Sequence, residues 1–162
     1  MLHRRLIPAV MVMVLLGMVS VSHAQDAKAV TSQDDANLRA VVTAAINALN
    51  SRSVDAAVAP VLDNVVVYGI FSPFPIEGKE SYRQAVQEYF DRYQRGEVKP
   101  IDPQYKVIGL TGVAWGNFRI VAQRKNGSAE SSDGRYLFTL TQMNGRWLIL
   151  SMHYSLLQPL VK

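Results

Sequence analysis

The chain has 162 residues, with 17 lysine and arginine side chains against 13 aspartate and glutamate, and no cysteine. The missing cysteines exclude disulfides, thiolate metal sites and a cysteine nucleophile. A single hydrophobic core must therefore hold the fold unaided, and a chain of this length supplies one ordinary domain rather than two.

The N-terminus opens on MLHRR, continues through an apolar run over residues 6–21 and reaches small residues at Ser22 and Ala24. That order predicts a secretory signal peptide over residues 1–24, cut after Ala24. The protein is then expected in the periplasm or secreted, with no stable membrane insertion after cleavage. Removing residues 1–24, which carry Arg4 and Arg5 and no acid, leaves 15 basic against 13 acidic side chains. No block of like charge remains, so nucleic acid is not an expected partner. Residues 25–33 read as a flexible leader to a domain over 34–162.

Leu38, Val41, Val42, Ala45, Ile46 and Leu49 recur at helical spacing, with Ser32 or Asp34 as candidate cap. Ser53 is placed to cap a short second helix, VDAAVAPVL, that Pro60 shortens or kinks. NVVVYGIF is β-branched and aromatic, hence a strand, and SPFPIEG is a loop. Tyr82, Ala85, Val86, Tyr89, Phe90 and Tyr93 form a second helical stripe, which Gly96 is expected to close. Residues 105–110, 113–124, 130–142 and 146–157 read as strands joined by glycine-containing turns.

Two turns, KNGS and MNGR, place Asn-Gly where a two-residue type I′ hairpin needs positive φ. With Asn144-Gly145 as loop, Met143 pairs with Arg146, Phe138 with Ser151 and Tyr136 with His153. With Asn126-Gly127 as loop, Trp115 pairs with Phe138 and Asn117 with Tyr136. One face is then expected to carry Trp115, Asn117, Arg119, Tyr136, Phe138, Trp147, Ser151, His153 and Ser155, apolar at one end and polar at the other. Such a gradient suits a pocket mouth. The opposite face, with Leu148, Leu150, Met152 and Tyr154, is also largely apolar, which predicts a homodimer through the outer sheet face.

The order of elements, together with GIFSPFPIEGKESYRQAVQEYF and GRYLFTLTQMNGRWLILSMHYSLLQP, resembles the SnoaL-like branch of the nuclear-transport-factor-2-like superfamily. Within it the chain most resembles bacterial relatives of the calcium/calmodulin-dependent kinase II association domain. Gly145, Trp147, Ile149, His153, Ser155 and Pro159 carry the motif. The resemblance implies an α+β fold, a cone-shaped curved antiparallel sheet wrapped around N-terminal helices with a central pocket. It departs from the family where HYSL stands for a His-His-Ser-Ser run, and where Phe138 takes the place of a cavity arginine. Arg119, from the next strand, is the candidate to replace that charge.

His153 is the single histidine after residue 24. It is the candidate acid–base residue of a cofactor-free isomerase, cyclase or dehydratase, or else a donor that orients a ligand. The remaining candidates for binding a small organic molecule are Tyr68, Tyr89, Trp115, Asn117, Arg119, Tyr136, Phe138, Ser151 and Ser155. No metal site and no cofactor are expected. Carboxylates for catalysis have to come from Glu77, Glu88, Asp91 or Asp102, each of which reads as solvated. Binding or assembly without a defined reaction is therefore the expectation, ahead of catalysis.

Overall fold

The computed structural model describes residues 31–157. The expected signal peptide, residues 25–30 of the expected leader and Pro159 lie outside the described residues.

Helix α1, Ser32–Asn50, begins inside the stretch read as a leader. Its cap is Thr31, not Ser32 or Asp34. The Asp34 backbone N–H donates to Thr31 Oγ1 at 3.1 Å, and the Thr31 N–H donates to the Asp34 carboxylate at 3.2 Å. This reciprocal box satisfies backbone donors that a bare helix end leaves open. Ser53 caps α2, Val54–Val58, as its sequence predicts.

Helix α3, Lys79–Arg92, stops short of the expected Gly96. The reason lies in a distant residue. Arg52, held at φ 56°, donates its guanidinium to the carbonyls of Phe90 and, at 2.8 Å, Tyr93. These bonds meet the needs of carbonyls at the helix end, and Tyr93 turns directly into a strand. Gly96 sits within that strand because Tyr89 crowds it: a Cβ there would lie 2.6 Å from the Tyr89 hydroxyl.

The strands are β1 (Val61–Tyr68), β2 (Ile76–Glu77), β3 (Tyr93–Ile108), β4 (Thr111–Arg124), β5 (Ala129–Met143) and β6 (Arg146–Leu156). They form one curved, unclosed sheet in the order β2-β1-β6-β5-β4-β3. The pairing is mixed, not wholly antiparallel, since β1 runs parallel to β6. The edge strand β3 is partly covered by α1: the Asn50 side-chain amide donates to the Val98 carbonyl at 3.1 Å and accepts its N–H at 2.7 Å. A side chain there stands in for a neighbouring strand and blunts the open edge.

The helices bury Leu38, Val42, Val58 and Val86 against Phe138, Leu140, Ile149 and Met152 of the sheet. This is the inner face of the cone.

Register differs from expectation at two places. Asn144 and Gly145, at φ 52° and 77°, form the expected two-residue loop, and Met143 pairs with Arg146. The pairing Leu140 with Ile149 follows, but the next is Thr139 with Ser151. One extra residue in β6, a bulge at Leu150, reverses the faces beyond it. The other hairpin is not a two-residue loop. Gly127 alone takes positive φ, 87°, and Arg124 N–H donates to the Ser128 carbonyl at 2.8 Å, leaving Lys125, Asn126 and Gly127 as the loop. Asn126 Oδ1 instead accepts from the Ser128 N–H at 3.1 Å. A three-residue loop shifts β4 by one residue.

The shifts overturn the expected face. Tyr136 and Phe138 point inward, as do Met152, Tyr154 and Phe118, whereas Trp115, Asn117, Arg119, Ser151, His153 and Ser155 lie on the outer face. The apolar surface expected to hold a dimer through Leu148, Leu150, Met152 and Tyr154 therefore does not exist as one surface. Met152 is core and Tyr154 faces inward.

Candidate ligand cavity

Between α3, the inner face of the sheet and the loop after β1 lies a cavity of about 610 Å³. Its walls are apolar: Val67 from β1, Ile76 from β2, Val86 from α3, Val98 from β3, and Phe118 and Ile120 from β4. The alternation of inward residues along β4 and the helical repeat along α3 bring these side chains together.

Two tyrosines interrupt the apolar lining. Tyr82 comes from the first turn of α3 and Tyr154 from β6. Their hydroxyls interact, and Tyr154 Oη also donates to Met152 Sδ at 3.4 Å. Burial pushes the Tyr82 phenol up to about 12, and burial also holds Tyr154 well above 10. Both therefore stay protonated at neutral pH. They are hydrogen-bond donors among the apolar wall residues Val67, Val86 and Phe118. Tyr154 is only partly covered, and what it opens onto is this cavity.

Toward the mouth the lining becomes aromatic and charged. Tyr89 packs on Tyr93 at 5.3 Å between ring centres, and Phe71 from the loop stacks on Tyr89 at 6.3 Å. The Arg92 guanidinium lies 4.8 Å from the centre of the Phe71 ring. Tyr93 donates its hydroxyl to Glu130 at 3.1 Å, and Arg124 pairs with the same carboxylate. Glu77, Glu88 and Arg92 line the cavity with exposed side chains, and Gln84 donates to Glu88 at 3.0 Å. Two carboxylates that read as solvated thus reach the cavity while remaining in water. Asp91 does not line it.

Of the sequence-derived candidates, Tyr89 lines this cavity. Phe138 is fully buried beneath it, its ring 5.5 Å from Tyr154. Tyr136 is buried beside Phe138 at 5.3 Å, and its hydroxyl has no hydrogen-bond partner among the described residues. Tyr68 lies on the outer face with its ring 6.0 Å from that of His153. Arg119, expected to bring charge into the cavity, is held on the outer face by a two-pronged pair with Asp133, at 2.7 and 2.9 Å. Trp115, Asn117, His153 and Ser155 do meet, in a separate outer concavity, while Ser151 sits half-buried on that face. His153 is thus on the wrong side of the sheet to act on anything in the cone. Sequence reasoning placed Tyr82 on a buried stripe but missed Tyr154, because the bulge at Leu150 has no mark in composition. Among the described residues no group of three histidine or acidic side chains is arranged to hold a metal ion.

The match to known proteins agrees with this architecture. A nuclear transport factor 2-like superfamily protein from Salmonella enterica superimposes with a TM-score of 0.73 at 15% identity, covering 82% of this chain and 96% of that one. A ketosteroid isomerase-like protein from Erwinia carotovora gives a TM-score of 0.70 at 17% identity, covering 80% and 100%. A protein described as a calcium/calmodulin-dependent protein kinase II association domain, from Xanthomonas campestris, gives 0.67 at 18%, covering 76% and 87%. At such identities the likeness establishes the fold alone. No curated protein matches the sequence. The SnoaL-like domain model matches residues 38–159, from the core face of α1 to beyond β6, and the chain belongs to that family.

Proposed function

We propose that the protein is exported and binds a small, largely apolar organic molecule in the cone, through a hydrogen-bond acceptor that reaches Tyr82 and Tyr154. The observation that carries this reading is a pair of protonated tyrosine hydroxyls within an apolar cavity. A buried hydroxyl that finds no acceptor costs about 1–3 kcal/mol. A ketone or ester oxygen offers these two phenols a better acceptor than the Met152 sulfur, and the surrounding carbon favours an apolar body around that oxygen.

The test compares two probes of one shape, acetylnaphthalene and ethylnaphthalene, by calorimetry. The ketone binds more tightly, and the preference disappears in the Tyr82→Phe/Tyr154→Phe variant. Equal affinity of the two probes for the wild type would falsify the role of the tyrosines. Export is checked separately by mass spectrometry of the N-terminus, where a mature chain beginning at Gln25 is expected and an intact Met1 or Leu2 refutes cleavage.

A second reading is favoured by Glu88 and Glu77, which line the same cavity. A cofactor-free isomerase or dehydratase would use a carboxylate to move a proton and the tyrosine pair to stabilise the developing oxyanion. The ketosteroid isomerase-like neighbour keeps this reading in view. Exchange of the acetyl protons of acetylnaphthalene into deuterium oxide, catalysed by the wild type and lost in Glu88→Gln, would establish it. An exchange rate equal to that in buffer refutes it for this probe.

A further inference from the structure

The cavity of the cone has two unlike ends. Tyr82 stands in the first turn of α3 and Arg92 in its last, and both line the cavity. Ten residues of helix separate them, a rise of roughly 15 Å, so a molecule that meets both is elongated. At the Tyr82 end the donors are neutral phenols. At the other end the donor is a guanidinium.

The Arg92 end carries net positive charge. The Arg92 guanidinium lies 4.8 Å from the centre of the Phe71 ring, and the Arg124 guanidinium 5.5 Å from that of Tyr93. Arg52 lies 5.0 Å from the Phe90 ring, and its charge is felt at the Tyr89 hydroxyl. The charges of Arg92 and Arg124 are felt at the Tyr93 hydroxyl. Against these cations stands Glu130, which Arg124 already pairs. Arg52 is committed to the carbonyls that end α3. The Arg92 guanidinium makes no ion pair among the described residues. A guanidinium that lies on an aromatic ring at the wall of an apolar cavity is open to an incoming anion.

The two carboxylates of the lining oppose an anion at this end only weakly. Glu77 precedes the first turn of α3, at the far end of the helix. Glu88 is one turn from Arg92 and does not pair with it. Instead it accepts from Gln84, one turn further away, at 3.0 Å.

Resting on the cone as a ligand site, we infer that its ligand is an elongated carboxylic acid. The carboxylate sits on Arg92 and the apolar body reaches toward Tyr82 and Tyr154. The planar fork of a guanidinium matches a carboxylate. A single free cation with Glu88 one turn away suits one negative charge better than the nearly two of a phosphate ester. An amine would be repelled at this end.

The test uses an acetylbiphenyl carboxylic acid, with ketone and acid at opposite ends, and its methyl ester. Both are titrated calorimetrically at neutral pH and low salt. Each probe carries the ketone, so whatever the tyrosines contribute cancels in the comparison. The acid is expected to bind roughly fivefold more tightly, the upper end for a partly exposed ion pair. Added salt narrows the gap. Arg92→Gln removes the preference by weakening the acid alone, and Glu88→Gln widens it. Tyr82→Phe/Tyr154→Phe weakens both probes and leaves their ratio unchanged. Equal affinity of acid and ester for the wild type overturns the inference, as does a preference that survives in Arg92→Gln. Either result leaves the ketone preference of the cone untouched. Absence of saturable binding by the acid also overturns it, and the acetylnaphthalene comparison then tells whether the cone reading falls with it.

Discussion

The two faces of one sheet differ in what holds their side chains. On the inner face Phe138, Leu140, Ile149 and Met152 are almost wholly removed from water, and the cavity beside them inherits walls that cannot relax. On the outer face, Leu137, one residue from Phe138 on β5, and Trp115 and Tyr68 on β4 and β1 keep about two-fifths to half of their surface. The strands have no intrinsic preference for either arrangement. The helices α1 and α3 choose which face becomes core, and the bulge at Leu150 chooses which residues of β6 go with it. Polar groups follow accordingly. Tyr82 and Tyr154 are trapped protonated inside, while Arg119, Asp133 and His153 stay in water.

Neighbouring residues on β5 give the strongest test of that contrast. Phe138→Ala should cost about 3–5 kcal/mol in urea unfolding, the usual loss for a buried ring. Leu137→Ala, one position away, should cost under about 1 kcal/mol, since little of its contact area is lost. Equal costs for the two would break the assignment of faces. Next in size is the end of α3. Arg52→Ala removes two charge-assisted bonds to the Phe90 and Tyr93 carbonyls, and about 1.5–3 kcal/mol of stability should go with them, read by thermal or chemical denaturation. A variant as stable as the wild type would mean that water caps the helix equally well.

A smaller effect tests the loop that sets β4. Gly127 holds φ 87°, so Gly127→Ala should destabilise by about 1–2 kcal/mol. Gly116→Ala, where room rather than φ is the constraint, should instead shift the Tyr136 ring and alter its near-ultraviolet circular dichroism. The pH response is expected to be the smallest. Arg124 beside Glu130 and Arg119 beside Asp133 hold both carboxyls below their ordinary values of 4.5 and 3.8. A depressed folded pKa means stability that is present above the ordinary value and lost as pH falls through the folded one. Both pairs are exposed and screened. Glu130→Gln/Asp133→Asn should therefore flatten the loss of melting temperature below about pH 4.5 only slightly, relative to wild type.

Most elements were legible from the chain, apart from β2, which lies in the stretch read as a loop, and the first half of β3, which was not read as strand. Period-3.6 apolar spacing from Leu38 to Leu49 and through Val86 to Phe90 marks the two long helices. The β-branched and aromatic runs mark the strands, and MNGR marks a tight hairpin that needs positive φ at both Asn144 and Gly145. KNGS looks the same locally but becomes a three-residue loop, because Asn126 spends its side chain on Ser128 and leaves positive φ to Gly127. The site was legible only as a grouping. Trp115, Asn117, His153 and Ser155 were expected to be neighbours and are, since both β4 and β6 moved to the other face together. Tyr136 and Phe138, on the strand between, did not.

Residue spacing alone thus determined the two long helices and the order of most strands, and the resemblance carried by the motifs of the chain supplied the family of folds. The tertiary structure decided where α3 stops, through a guanidinium from Arg52 that is 38 residues from Phe90 in the chain. It also decided which face of the sheet is the inside. Side-chain direction in a strand has period two, so a single added residue, at the loop before β5 or the bulge in β6, exchanges core for surface. Local propensity is nearly indifferent to that residue; packing against the helices is not.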